Sequence, residues 1–135
     1  MKRISSVVVL LLGVCVMLSN AAAEVEIHEQ QGIRYVSGGG TAESDEEMKQ
    51  LAARFPVHLV FVAKGVDEPI EGVKVTVRDV KGTAILEATS EGPLFFVDVG
   101  SGRYTVDAEY AGEMQSQTKD LTGRRYLRLR YTFNE

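Results

Sequence analysis

These 135 residues contain no tryptophan, one cysteine, two histidines and three prolines. Each scarcity excludes something. A lone cysteine, Cys15, forms no disulfide within the chain, so any core must hold without covalent help. It also removes thiolates from any zinc site. The histidines, His28 and His58, stand thirty positions apart, and neither has a second ligand at helix or strand spacing. Both read as strand histidines facing outward. The lack of tryptophan weakens a sugar-stacking role. Gly38-Gly39-Gly40 precedes neither a lysine nor a dinucleotide-type helix, so no phosphate loop is present. Ser90 and Ser101 lie in no nucleophile elbow; Ser101, between Gly100 and Gly102, suits a hairpin corner. The acids Glu43, Asp45, Glu46 and Glu47, and the pair Asp67 and Glu68, lack the register of a calcium loop. The expectation is a noncatalytic protein with no cofactor and no metal.

The first residues form a separate segment. Lys2 and Arg3 precede an uncharged run from Ile4 to Leu18. Ser19-Asn20 interrupts it, and Ala21 and Ala23 provide small residues at the −3 and −1 positions before Glu24. This charge, short apolar stretch and small-residue site match a secretory signal, and the run is short for a membrane span. Residues 1–23 are therefore expected to be a cleaved signal peptide, with Cys15 an ordinary apolar residue inside it. The product is expected in the periplasm or secreted, and not membrane-spanning. Removing 23 of 135 residues leaves 112; losing Lys2 and Arg3 leaves 13 basic against 19 acidic residues, net −6. That excess disfavours nucleic acid as a partner.

Residues 24–43 read as an N-terminal extension with a glycine-rich joint. Short strands are possible at Val25–His28 and Ile33–Val36. Residues 44–55 read as an amphipathic helix. Ser44 and Glu47 have capping-box spacing, Met48, Leu51, Ala52 and Phe55 form one apolar stripe, and Pro56 ends it. From Pro56 the period changes to two. Val57–Ala63 is nearly continuous and apolar. Val73, Val75 and Val77 alternate with polar residues, as do Tyr104, Val106, Ala108 and Tyr110, and Leu127, Leu129, Tyr131 and Phe133. About seven short strands with close turns predict an all-β antiparallel sandwich over 56–135, preceded by one short helix.

Two stretches carry a family resemblance. In the first, a polar loop at Pro69-Ile70-Glu71-Gly72 leads into the alternating Val73-Lys74-Val75-Thr76-Val77. In the second, Asp98-Val99 is followed by Gly102-Arg103-Tyr104-Thr105-Val106-Asp107-Ala108. From Val57 to Phe133 the chain resembles the carboxypeptidase regulatory-like domain, a transthyretin-like and immunoglobulin-like β-sandwich of exported proteins. Gly100-Ser101 stands where that family often has Pro-x. With its N-terminal segment, the chain is similar to small periplasmic proteins of proteobacteria that carry this sandwich. The resemblance implies a bacterial envelope location and a noncatalytic role, and it supplies no active site.

The remaining candidates are a corner and a charged stripe. Gly102 and Tyr104 suit a structural corner, with the tyrosine hydroxyl returned to nearby backbone. Arg124, Arg125, Arg128 and Arg130 gather near Tyr126 in an acidic protein, and Tyr126, Arg128 and Arg130 share one strand face. Two roles fit the arginines: a docking stripe for an acidic protein, glycan or phosphate group, or cross-strand pairing with Asp107 and Glu109. An envelope protein is the expected partner, with a glycan or small ligand as the alternative. The helix is expected to cover a sheet face, or else to present its stripe to a partner.

Overall fold

The computed structural model describes residues 25–66, 68–123 and 126–134; residues 1–24, the segment expected to hold the signal peptide included, and Asp67, Arg124, Arg125 and Glu135 lie outside this set. The chain enters as a hairpin of β1 (Ile27–Gln30) and β2 (Ile33–Gly38). Gln31 and Gly32 form its two-residue turn with φ of 51° and 81°, the geometry that matches strand twist in tight hairpins. Helix α1 (Ala42–Leu51) follows, with a 3₁₀ turn at Ala52–Arg54. The remaining strands are β3 (Val57–Ala63), β4 (Lys74–Arg78), β5 (Ala84–Thr89), β6 (Leu94–Asp98), β7 (Arg103–Tyr110), β8 (Glu113–Asp120) and β9 (Leu127–Phe133).

The strands form two sheets. One is ordered β1-β2-β6-β3-β9, the other β5-β4-β7-β8. Between them lies one core, including Leu59, Phe61, Val75, Leu86, Phe95, Val106, Leu129, Tyr131 and Phe133. The period-two segments supply it: in β9, Leu129, Tyr131 and Phe133 are buried while Arg128 and Arg130 are exposed. Over the described residues the protein is an all-β sandwich with one short α-helix. Nine strands are described rather than about seven. The two extra ones lie before the helix, where the sequence suggested an extension. β2 pairs along β6, Tyr35 opposite Val97 and Val36 opposite Phe96, so residues 27–38 are integral to the five-stranded sheet.

One ladder departs from the antiparallel expectation. β9 runs parallel to β3, from Val57 opposite Leu127 to Ala63 opposite Phe133. Parallel neighbours need a long crossover, and the intervening strands provide it by passing through the other sheet.

Helix α1 lies on the outer face of the five-stranded sheet. Met48 and Phe55 pack with Val36 and Phe96 in a second apolar cluster, bordered by Val25, Leu51, Ala52 and Leu94. The stripe read from the sequence therefore covers a sheet face. The start of the helix differs. Its N-cap is Thr41, whose Oγ1 accepts from the Ser44 N–H at 3.1 Å, and Ser44 and Glu47 form no capping box. Instead Ser44 Oγ accepts from the Gly39 N–H at 2.7 Å, and Asp45 Oδ1 from the Gly40 N–H at 3.0 Å. Both side chains secure the glycine segment, leaving the cap to the preceding extended threonine. Phe55 is likewise outside the helix: its φ of −128° and ψ of 122° are the extended values favoured before proline.

Candidate functional site

β9 carries the arginine stripe at the edge of the five-stranded sheet. Its partner is β3, in the sheet opposite β7. Arg128 stands opposite His58 and Arg130 opposite Val60. The expected pairing with Asp107 and Glu109 is therefore wrong: those acids lie in β7, on the other sheet. Asp107 pairs instead with Arg78, Oδ2 accepting from Nε at 2.8 Å, while Oδ1 accepts from the Ser116 hydroxyl at 2.6 Å. Burial pushes the Asp107 carboxyl up, but Ser116 and Arg78 outweigh it and hold it below the usual carboxylate range.

Tyr126 precedes β9 with its side chain 54% exposed. Its ring lies 5.8 Å from His58, tilted by 52°. Around it opens a depression of about 370 Å³ lined by Ala53, Arg54, Pro56 and Tyr126. The end of the helical segment forms one wall, and the strand entering the sheet forms the other. Arg54 was absent from the sequence-level candidates. Its only signal was a basic residue in a last helical turn before proline, a position that also suits a helix dipole. The structure thus brings Tyr126 together with Arg54 and places Arg128 one strand from His58. Arg124 and Arg125 lie outside the described residues.

His58 sets the geometry beneath this depression. Its ring stacks on Phe96 at 4.2 Å. Nε2 lies 2.9 Å from the Ala52 carbonyl and 2.7 Å from that of Phe55. Both partners are acceptors, so Nε2 carries the proton and donates to them. The imidazole therefore fastens the end of the helical segment to β3. It is half-buried under that end, whereas the sequence suggested a strand histidine facing outward.

Tyr104 and Gly102 lie together at the corner between β6 and β7. The Tyr104 hydroxyl donates to the Gly100 carbonyl at 2.9 Å. Gly102 has a φ of 145°, outside the range comfortable for other residues. A further tyrosine went unrecognised as a cross-sheet tie. Tyr131, fully buried in β9, donates its hydroxyl to the Val106 carbonyl of β7 at 2.7 Å. Alternation marked it as a core aromatic, but gave no sign of where its hydroxyl would go.

The outer face of the four-stranded sheet has a depression lined by Lys74, Thr76, Arg78, Glu87, Asp107, Glu109 and Met114, where acids and bases alternate. At one end of the core, Val57, Val97, Tyr104 and Leu127 help to line an apolar gap of about 10 Å³. That is far below the several hundred Å³ of ordinary small-molecule pockets. Among the described residues no group of three or more His, Cys, Asp or Glu side chains is placed to hold a metal ion. No helix among them is long and apolar enough to cross a membrane. No protein-family model matches the chain, and no curated protein shows significant similarity to it.

Proposed function

We propose that this chain is an exported, noncatalytic β-sandwich module of the bacterial envelope that binds an acidic segment of a protein partner beside Tyr126. The observation that carries this reading is that the exposed Tyr126 and Arg54 line one open depression. An aromatic ring beside a guanidinium is the combination enriched where protein surfaces bind, since both give large contact at modest ordering cost. Arg128 extends positive charge along the same strand face, and its fork suits carboxylates. The signal-like first 23 residues and the resemblance to the carboxypeptidase regulatory-like domain support export and a noncatalytic role.

The test is site-specific photocrosslinking in cells, with p-benzoylphenylalanine replacing Tyr126 and, separately, Thr118 on the other sheet. A defined adduct is expected at position 126 and none at 118. Adding Arg54→Glu and Arg128→Glu is expected to reduce the adduct at least tenfold, the effect of about 1.4 kcal/mol or more in binding. Equal adducts at both positions, or no loss on charge reversal, would overturn the proposal.

A further inference from the structure

Strand direction sorts the charged residues into two ends. β3 and β9 run in parallel and β6 runs against them, so Ala63, Phe133 and Leu94 share one end and Val57, Leu127 and Val97 the other. The Ala63 end also collects the β3–β4 and β5–β6 loops, the β7–β8 turn and the start of α1. The Val57 end collects the β4–β5 turn, the β6–β7 corner and the end of the helical segment.

Charge divides along this axis. The Ala63 end exposes Glu43, Asp45, Glu46, Glu68, Glu71 and Glu91, against the bases Lys64 and Lys74. The helix dipole accounts for the acids of α1 but not for those of the loops. The Val57 end exposes Arg54, Lys81, Arg103, Lys119 and Arg128. Its acids are engaged within the fold. Asp98 accepts from Arg34, Asp79 from the Lys81 and Thr83 N–H groups, and Asp120 from the Thr122 N–H. Glu29 stands opposite Arg34 in the ladder.

Exposed apolar side chains follow the same division. Among the described residues the large ones are Ile27, Val66 and Met114 toward the Ala63 end, and Val80 and Tyr126 at the Val57 end. The sides are occupied differently, since Gln30, Gln115 and Gln117 already bond across the edges of the sandwich. The seven residues of β3 hold the two ends about 23 Å apart. The Debye length at physiological salt is about 8 Å, so a neighbour senses the end that faces it and not the acidic balance of the whole chain.

We propose that the acidic end of one copy docks on the basic end of the next, so that the acidic segment received beside Tyr126 belongs to a second copy of this chain. This rests on the proposed docking at Tyr126 and names its partner. Every copy carries both halves of the contact, and the halves are different surfaces. The contact is therefore heterologous and repeats head to tail rather than closing as a two-fold dimer. Opposite charge aligns the ends, and Tyr126 and Val80 supply apolar contact area on the basic side.

The test is sedimentation of protein purified after expression from the full-length gene. Concentration-dependent association is expected at about 0.15 M salt, and association at least about tenfold weaker at about 1 M. Arg54→Glu with Arg128→Glu reverses the basic end, and Glu46→Lys with Glu68→Lys reverses part of the acidic end. Each double variant alone is expected to associate at least about tenfold more weakly than the wild type. An equimolar mixture contains one unaltered acidic end and one unaltered basic end, and is expected to recover a 1:1 pair. That recovery also shows that both variants are folded. With p-benzoylphenylalanine at Tyr126, the crosslinked adduct is expected at twice the mass of the chain. No association at about 0.15 M salt, or no recovery on mixing, would overturn self-docking. An adduct of another mass would overturn it while leaving docking at Tyr126 standing, and the absence of any adduct would overturn both.

Discussion

At the scale of single residues, polar groups in and beside the core specify this structure as much as apolar ones. Tyr131 is fully buried, and its hydroxyl meets a strand carbonyl across the two sheets. Burial pushes its phenol well above the usual tyrosine range, and the charge of Asp107 acts in the same direction, so the hydroxyl stays a donor. Asp107, only 9% exposed, is served by Arg78 and Ser116. Its lowered pKa makes it a stabilising group above the unfolded-state value of about 3.9, and that contribution is lost as pH falls through the depressed folded value. Asp107→Asn is expected to cost about 1–2 kcal/mol at pH 7, discounted because Arg78 is partly exposed to screening solvent. Urea unfolding should show the gap from wild type starting to narrow as pH falls below about 4, and closing only below the depressed folded value, where both proteins carry a neutral side chain at this position. A gap unchanged down to pH 2 would exclude the charge as its source.

At the scale of elements, glutamine side chains bridge the sides of the sandwich. An edge strand exposes backbone groups that recruit other strands unless something occupies them. Gln30 of β1 reaches β5, its Nε2 donating to the Glu87 carbonyl at 3.0 Å and its Oε1 accepting the Glu87 N–H at 2.8 Å. On the opposite side, Gln115 and Gln117 of β8 donate to the Thr132 and Arg130 carbonyls of β9, at 2.5 and 3.0 Å. A carboxamide carries one donor and one acceptor face, as a peptide does, so it substitutes for a missing neighbouring strand. Replacing both Gln115 and Gln117 with alanine is expected to cost about 1–3 kcal/mol, from two bonds at about 1 kcal/mol each. The same double variant should associate through β9, detectable as concentration-dependent sedimentation. A variant whose sedimentation and stability match those of the wild type would show that solvent satisfies those carbonyls equally well.

At the scale of the whole molecule, the sandwich cannot be cut where the sequence suggested. β2 pairs with β6, and Val36 lies in the cluster under the helix. Tyr35 stacks on Phe95 at 5.5 Å, continuing a ladder of rings that begins with His28. A chain shortened to begin at Thr41 would lose two strands and bare the edge of β6. Total stability of a domain is only about 5–15 kcal/mol, so this loss should abolish cooperative unfolding followed by circular dichroism. A sharp transition in the shortened protein would restore the boundary near Pro56.

Much of this was legible in the chain before its tertiary arrangement was considered. Alternation in β7 and β9 marked which residues face oil, and the spacing of Met48, Leu51, Ala52 and Phe55 marked a covering face, because both patterns follow from local backbone geometry. The cap was missed because Thr41 and Ser44 are both competent, and contacts to Gly39 and Gly40 decided between them. The first two strands carried only short apolar runs. Arg54 became a site residue only when the chain brought Tyr126 beside it, 72 positions later.

The amino-acid sequence by itself determined the class of fold, the apolar faces, the acidic balance and the absence of any possible intrachain disulfide. These depend on residue type and on spacing within a few residues. The tertiary structure alone decided that β9 lies parallel to β3, that Arg128 and Arg130 stand on the sheet opposite that of Asp107 and Glu109, and that His58 fastens the helical segment. Each of these depends on which distant segments become neighbours, and that is set by packing two whole sheets together rather than by any local preference.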